Sequence, residues 1–459
     1  MSTEAPRIRI ATGGSFLPRT EDWWAVLLGL GLVAVSVGLY GQGSSIKWLA
    51  VTPAKWTHLA DLTADLVKNW QRYLAQFVLW TVLFGATLKV LGYRWIAFLP
   101  SFLLVYVLSV VIFCLGQWDQ ANYYNLEPPL VALVAGLVIS NHGMLPAWMD
   151  AGFRVEYYIK TGIVLLGATL PFTLVAWAGP VAIAQASIVS VVTFVVIYFV
   201  AIRLGLEKRL AATLGAGGAV CGVSAAIAVA GAVGARKQDA PIAITLVILW
   251  AIVLIVVLPL VSSRLALPTG VAGAWIGTSE LADAAGLVAA QTYGDYAGRA
   301  QISGTPDAAI TAFTLMKVVG RDVWIGIWAF VLSIIATMRW ESTGVKTRVD
   351  AGEIWRRFPK FVIGFLIASL VVTVVAKGAV SYAQFNKGPI NSDLVAPLKN
   401  LRTWAFVFCF LSIGLTTRFR ELADVGGKPF LAFTSGVVVN VLLGLLLSAV
   451  IFVAHWQGL

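Results

Sequence analysis

Residues 209–234 read "RLAATLGAGGAVCGVSAAIAVAGAVG". Gly215, Gly217, Gly218 and Gly222 fall within eight residues and are followed by Ser224, in a segment too apolar for a surface loop. Glycine is, after proline, the residue least suited to a helix interior. In hydrocarbon every backbone N–H and C=O needs a partner, so non-helical backbone survives only where it is buried in protein or lines a wet cavity. The glycines therefore have two readings. They form small faces for close helix packing, or they mark a break whose freed N–H groups and half-helix N-terminus make an anion cradle. Four glycines and a hydroxyl exceed what packing needs, which favours the break.

Composition places this segment in a membrane. Of 459 residues, 59% are hydrophobic and 12% charged, where a soluble domain carries about a quarter charged; the mean hydropathy is +0.86. Apolar windows fall near 23–41, 74–92, 95–115, 129–143, 157–176, 181–203, 209–234, 241–262, 271–292, 306–339, 357–378, 395–418 and 428–455. A spanning helix takes about 20 apolar residues, so the expectation is an all-α polytopic membrane protein in the lipid bilayer. The charge-poor loop 116–128 divides it into an accessory N-terminal region over 1–115 and a core over 116–459. The polar stretch 43–73, with Trp48, Trp56 and Trp70 among lysines, suits the membrane interface.

The first window follows Arg7, Arg9 and Arg19 and has no clear cleavage site, so it reads as a retained helix with a cytoplasmic amino end. The basic loops 89–94, 203–209, 339–360 and 418–428 then fall inside, and the charge-poor loops 116–128 and 177–180 outside. "RKQD" at 236–239 lands outside if all thirteen windows cross. It moves inside if 209–234 is a re-entrant hairpin, and 271–292 must then be a second hairpin entering from the other side. The sequence leaves crossing and re-entry both open. A weak internal match pairs "LGATLPFTLVAWAG" (166–179) with "IGLTTRFRELADVG" (413–426) on helices of opposite direction, the pattern of transporters built from inverted repeats.

Three further groups carry candidate chemistry. In "WIGTSELADAAGLVAA" (275–290), Gly277, Thr278 and Ser279 can open a helix inside the membrane, with hydroxyls capping its first N–H groups. Glu280 and Asp283 follow at helical spacing, and an intramembrane carboxylate is a functional hypothesis by default, here a proton carrier. An interfacial helix start is the plainer reading. Lys317 and Arg321, four apart, supply the positive charge an anion needs, unless Arg321 merely pairs with Asp322 or an earlier acid. Thr416 and Thr417, after Gly414, offer hydroxyls that can equally bond back to their own helix.

Several classes are disfavoured. His58, His142 and His455 lie far apart with no Cys or acid at ligand spacing, so no metal, haem or other cofactor is expected. Cys114, Cys221 and Cys409 lie apart in apolar runs and form no disulfide frame. No P-loop, G-x-S-x-G or HExxH motif occurs, so an enzyme is not expected and transport is secondary or passive. The net charge of +11 resides in short loops and does not point to nucleic acid.

Together, "GIVLLGATL", "LGAGGAVCGVSAAIAV", "WIGTS…DAAGLVAA" and "LSIGLTTRFRELADVGGKPFL" resemble a family of bacterial inner-membrane proteins described as sulfate exporters, over roughly 125–455. That family looks related to the cation/proton antiporter and anion transporter superfamily, which implies inverted repeats and discontinuous helices. The resemblance implies export of sulfate or sulfite, some members accompanying organosulfonate breakdown. It marks Gly217, Gly218, Cys221, Gly222 and Ser224, then Gly277, Thr278, Ser279 and Asp283, then Thr416 and Thr417. Where relatives carry His then Glu, this chain reads Ala282–Asp283, and its basic pair is spaced K-x-x-x-R rather than K-x-x-R. The expected function is thus a secondary transporter of a small sulfur oxyanion in the bacterial inner membrane, working by alternating access. Its anion sits at the Gly-rich segments with Lys317 or Arg321, and Asp283, with Glu280, couples to H+ or Na+. The alternatives are a cation-coupled organic-anion transporter and an anion channel. The accessory helices are a candidate homodimer face.

Overall fold

The computed structural model describes residues 21–92, 95–123, 128–143, 146–236, 238–340, 359–376, 390–418 and 426–459, and among them no β-strand occurs. In chain order the helices are α1 (Glu21–Gly41), α2 (Leu59–Val90), α3 (Trp95–Gly116), α4 (Pro128–Asn141), α5 (Val155–Gly167), α6 (Phe172–Arg203), α7 (Lys208–Ala219) and α8 (Val223–Ala232). They continue with α9 (Asp239–Arg264), α10 (Thr269–Ser279), α11 (Asp283–Arg299), α12 (Pro306–Ile335), α13 (Lys360–Val375), α14 (Asn391–Thr416), α15 (Gly427–Ile451) and the short α16 (Val453–Gln457). Eight of these are long and apolar enough to span a membrane: α1, α2, α3, α6, α9, α12, α14 and α15.

The segment 209–234 is a hairpin. Arg209 at the start of α7 donates to the carbonyl of Gly234, beyond the end of α8, at 2.6 Å, while Gly217 faces Ala226 near the tip. Segment 271–292 does the same. The Thr269 N–H, opening α10, donates to Ser303, beyond α11, at 3.0 Å, and Tyr293 on α11 donates to the Leu267 carbonyl. Helix α12 confirms it, because Gly273 and Gly277 of α10 run parallel along Ala309 and Phe313, whereas Gly294 and Gly286 of α11 run antiparallel along Pro306 and Phe313. The two hairpins are joined by α9, whose 26 residues span about 39 Å at 1.5 Å per residue. They therefore enter from opposite faces.

The other contacts fix the remaining directions. We call the face where α1 begins proximal. Asp22 meets Lys160 and Gly29 meets Val164, so α1 and α5 are parallel. Gly162 meets Phe406 and Thr169 meets Arg402, so α5 and α14 are antiparallel. Ser45 bonds to Asp393 and Asn400 to Ala50 on the distal face. The first hairpin, with Arg236, Gln238 and Asp239 after it, lies on the proximal side, and the second hairpin on the distal side. The turn before α6 falls at 168–171, not at 177–180: Pro180 sits inside α6, tolerated there because neighbouring helices can satisfy the freed carbonyl. In the internal match, Gly167 and Gly414 both lie in the last turn of antiparallel helices; residues 419–425 of the second copy lie outside the described residues.

The helices sort into two bundles. One contains both hairpins with α6, α9, α12 and α15, closed by Gly218 and Gly436 against Ile197 and Gly320 against Ala182. The other contains α1 to α5, α13 and α14. Here Gly136 and Gly414 bring α4 and α14 into backbone contact, a Cβ on Gly414 falling 2.7 Å from the Gly136 Cα. Trp80, Phe84, Phe102, Trp404 and Phe408 fix α2 and α3 onto α14. Helix α1, grouped by sequence with an accessory part, instead packs between α5 and α13 and carries Glu21 and Asp22 to the site.

Candidate functional site

The hairpin tips meet between the bundles. The first turns at Val220–Gly222, where Gly222 has φ +74°, a left-handed conformation open to glycine at no steric cost. A Cβ there would lie 2.8 Å from the Leu281 carbonyl oxygen of the second tip. That second tip turns at Glu280–Ala282 with Glu280 and Ala282 both extended, which needs no glycine. Glu280 Oε1 accepts from the N–H groups of Leu281 and Ala282 at 3.0 and 3.4 Å and so stitches the turn.

Each tip leaves a helix C-terminus and a helix N-terminus inside the protein, with four orphan backbone groups at each end. The two kinds of end are treated differently. The carbonyl ends of α7 and α10 are closed by two fully buried cations in a π-helical stretch of α12 (Leu315–Arg321). Lys317 Nζ donates to Glu280, Leu281 and Val220 carbonyls at 2.8, 3.1 and 3.2 Å. Arg321 donates to Thr278, Glu280, Gly277 and Gly218 carbonyls at 2.5, 2.9, 3.4 and 3.4 Å. A bare buried cation is costly, and the negative ends of two helix dipoles offset that cost. Among the described residues the N-terminal ends of α8 and α11 have no side-chain cap. Val223, Ser224, Asp283, Ala284 and Ala285 point their end of the dipole toward a cavity.

The cavity comprises two adjacent lobes, of about 210 and 400 Å³, that share Glu156, Cys221, Val223 and Asp283 in their walls. The smaller is walled by Leu133, Ile159, Ile248, Ile252, Phe410 and Ile413. The larger reaches the proximal ends of α1 and α13 and holds the cavity's charge. There Lys160 Nζ bonds Asp22 at 2.7 Å and Glu156 at 3.2 Å. Glu156 also accepts from Ser224 Oγ at 3.3 Å, a bond between the two bundles. Asp283 Oδ1 lies 3.7 Å from Lys317 Nζ. On the distal side, Lys399 of α14 pairs with Asp307 of α12 at 2.9 Å.

The sequence-derived candidates divide accordingly. Cys221, Ser224, Asp283, Thr416 and Thr417 line the cavity, and Gly222 makes the first tip. Gly217 and Gly218 serve packing, inside α7 against Ala226 and Ile197. Gly277, Thr278 and Ser279 close α10 rather than open a helix, because the turn that follows is extended and the next helix starts at Asp283. Glu280 therefore lies in the turn and does not share a helix face with Asp283. The Thr278, Thr416 and Thr417 hydroxyls donate to their own helices, so these three donors are spent, whereas Ser224 donates to Glu156 and the buried Ser279 hydroxyl has no hydrogen-bond partner among the described residues. Lys317 and Arg321 come together, but their protons go to backbone carbonyls, and Arg321 makes no ion pair with Asp322 among the described residues. Glu156 and Lys160 were missed; their signal was an i,i+4 pair at the head of an apolar window.

The family described as conserved hypothetical protein 698 matches residues 100–433, and the chain belongs to it. It is 31% identical to a "UPF0324 membrane protein" of Rhodopirellula baltica over 90% of this chain and 73% of that one. A protein of the same description from Nitratidesulfovibrio vulgaris is 32% identical over 80% of this chain, which spans 62% of that relative's length. A third, from Nitrosomonas europaea, is 26% identical over 90% and 91% of the two chains. These names state a membrane location and no activity. No solved structure matches the chain.

Proposed function

We propose that this member of the conserved hypothetical protein 698 family is a secondary transporter that carries an organic anion, a carboxylate or sulfonate with an apolar body, by alternating access. One observation carries the reading: two uncapped half-helix N-termini, from hairpins entering opposite faces, converge on a cavity at the seam of two helix bundles. Helix N-termini are natural anion sites, and a midplane site at such breaks is the transporter arrangement. The apolar wall favours an anion with a hydrocarbon part over sulfate or sulfite. A compact oxyanion dianion needs more donors than remain here, since the threonine hydroxyls are spent.

Coupling is to protons at Asp283. Its carboxylate and the anion compete for the same α11 dipole, so protonation of Asp283 frees the N-terminus for substrate. The proximal face carries Arg203, Lys208, Arg209 and Arg236, which supports a cytoplasmic proximal face and amino end in the bacterial inner membrane.

The test is counterflow in proteoliposomes. Vesicles loaded with an unlabelled short-chain sulfonate or carboxylate are given trace labelled anion outside, with sulfate and sulfite run in parallel. Transient accumulation of an organic anion supports the proposal. Accumulation of sulfate or sulfite alone restores the oxyanion reading, and conductance without counterflow makes the protein a channel.

A further inference from the structure

Transporters with unwound helices commonly hold a coupling alkali cation on freed carbonyls and half-helix C-termini. Here that seat exists and is filled by the protein itself. Three carbonyl oxygens from both hairpin tips, Val220, Glu280 and Leu281, surround Lys317 Nζ at 2.8–3.2 Å, with Asp283 Oδ1 as a fourth oxygen at 3.7 Å. We propose that the Lys317 ammonium is a built-in substitute for a coupling alkali cation, so that the wild-type protein needs no sodium or potassium and removal of Lys317 opens a monovalent-cation site.

Three features support the assignment. The oxygens come from two hairpins that enter from opposite faces, so whatever cation sits between them joins the tips, which is the task of a coupling ion. Lys317 is fully buried, and an ammonium that deep is retained only where oxygens replace its water. The shell is neutral carbonyl plus one carboxylate, a set that suits a single positive charge. Distances of 2.8–3.2 Å admit an ammonium or potassium-sized ion directly; sodium would draw the tips inward. Arg321 stays in place on the Gly277 and Thr278 carbonyls, so the neighbouring helix end remains closed when Lys317 is removed.

This inference rests on the carrier reading, but its test does not require a known substrate. Purified wild type, Lys317→Ala and Lys317→Gln are melted in detergent in sodium, potassium or choline chloride at equal ionic strength. The expected result is a wild-type melting temperature independent of the cation and a Lys317→Ala protein stabilised by sodium or potassium over choline, saturably. A wild type specifically stabilised by sodium or potassium overturns the proposal, as do truncated variants indifferent to the cation. If neither variant withstands purification in choline, the yield of monodisperse protein is compared between alkali and choline media: higher yield in alkali supports the seat, and equal yields overturn it. Cation-dependent melting of the variants without anion counterflow in the wild type would leave the seat standing and remove the transport reading.

Discussion

Gly222 and Leu281 touch at the tips of two hairpins that enter the protein from opposite faces: a Cβ on Gly222 would sit 2.8 Å from the Leu281 carbonyl oxygen and 2.5 Å from Val247. This contact holds the uncapped ends of α8 and α11 against one cavity. Gly222→Ala adds a methyl at φ +74°, with a backbone cost of about 1–3 kcal/mol before the steric clash. The expected outcome is a lower melting temperature and loss of transport, read by thermal unfolding and counterflow.

Asp283 faces the cavity on one side and Lys317 on the other. If its proton frees the α11 N-terminus for the anion, uptake rises as the pH falls in wild type. Asp283→Asn, permanently neutral, is expected to bind and exchange anion with no pH dependence between acid and neutral medium. A mutant whose counterflow keeps the wild-type pH profile would remove Asp283 as the coupling group.

Thr416 and Thr417 line the cavity but donate their protons to Ser412 and Ile413. Replacing either by Val removes a hydroxyl already engaged within its helix, so counterflow should stay within about twofold of wild type. A large loss in both variants would return these hydroxyls to the substrate site and strengthen the oxyanion reading.

Arg321 satisfies carbonyls at the ends of both α7 and α10. Arg321→Ala strands the Gly277 and Thr278 carbonyls in the interior at about 1–3 kcal/mol for each unsatisfied group, while Glu280 keeps Lys317 and Gly218 keeps Asn440, so the melting temperature should fall steeply. Arg321→Lys keeps the charge but loses the fork and should give a protein of intermediate melting temperature. A stable Arg321→Ala with normal transport would contradict the helix-end role.

Much of this architecture was written in charge and glycine placement. Arg236 and Lys237 in a short loop pointed to 209–234 turning back without excluding a crossing, and the glycine cluster marked a break in that segment without naming Gly222, whose φ of +74° makes the tip. The second tip was harder to read. Gly277 drew attention three residues early, since glycine there serves close packing on Met316 and Phe313, while the actual turn at Glu280–Ala282 is extended and uses ordinary residues. Glu156 and Lys160 escaped notice because a charged pair at the head of an apolar window reads as an interfacial helix start. Only the tertiary contact with Ser224 puts Glu156 at the seam. Lys317 and Arg321 were legible as intramembrane cations, but which groups they serve depends on carbonyls about 40 and 100 residues away in sequence, beyond any local pattern.

The central claim is that the hairpin bundle moves against the bundle of α1 to α5, α13 and α14, exposing the cavity alternately to each face. Asp307 and Lys399 tie the two bundles on the distal side, so cysteines at both positions, in a chain whose Cys114, Cys221 and Cys409 are replaced, provide the most direct test. Cross-linking them with a short bismaleimide should abolish counterflow of the anion identified in the panel, while each single-cysteine protein treated the same way keeps it. Undiminished counterflow in a fully cross-linked double mutant would contradict the account.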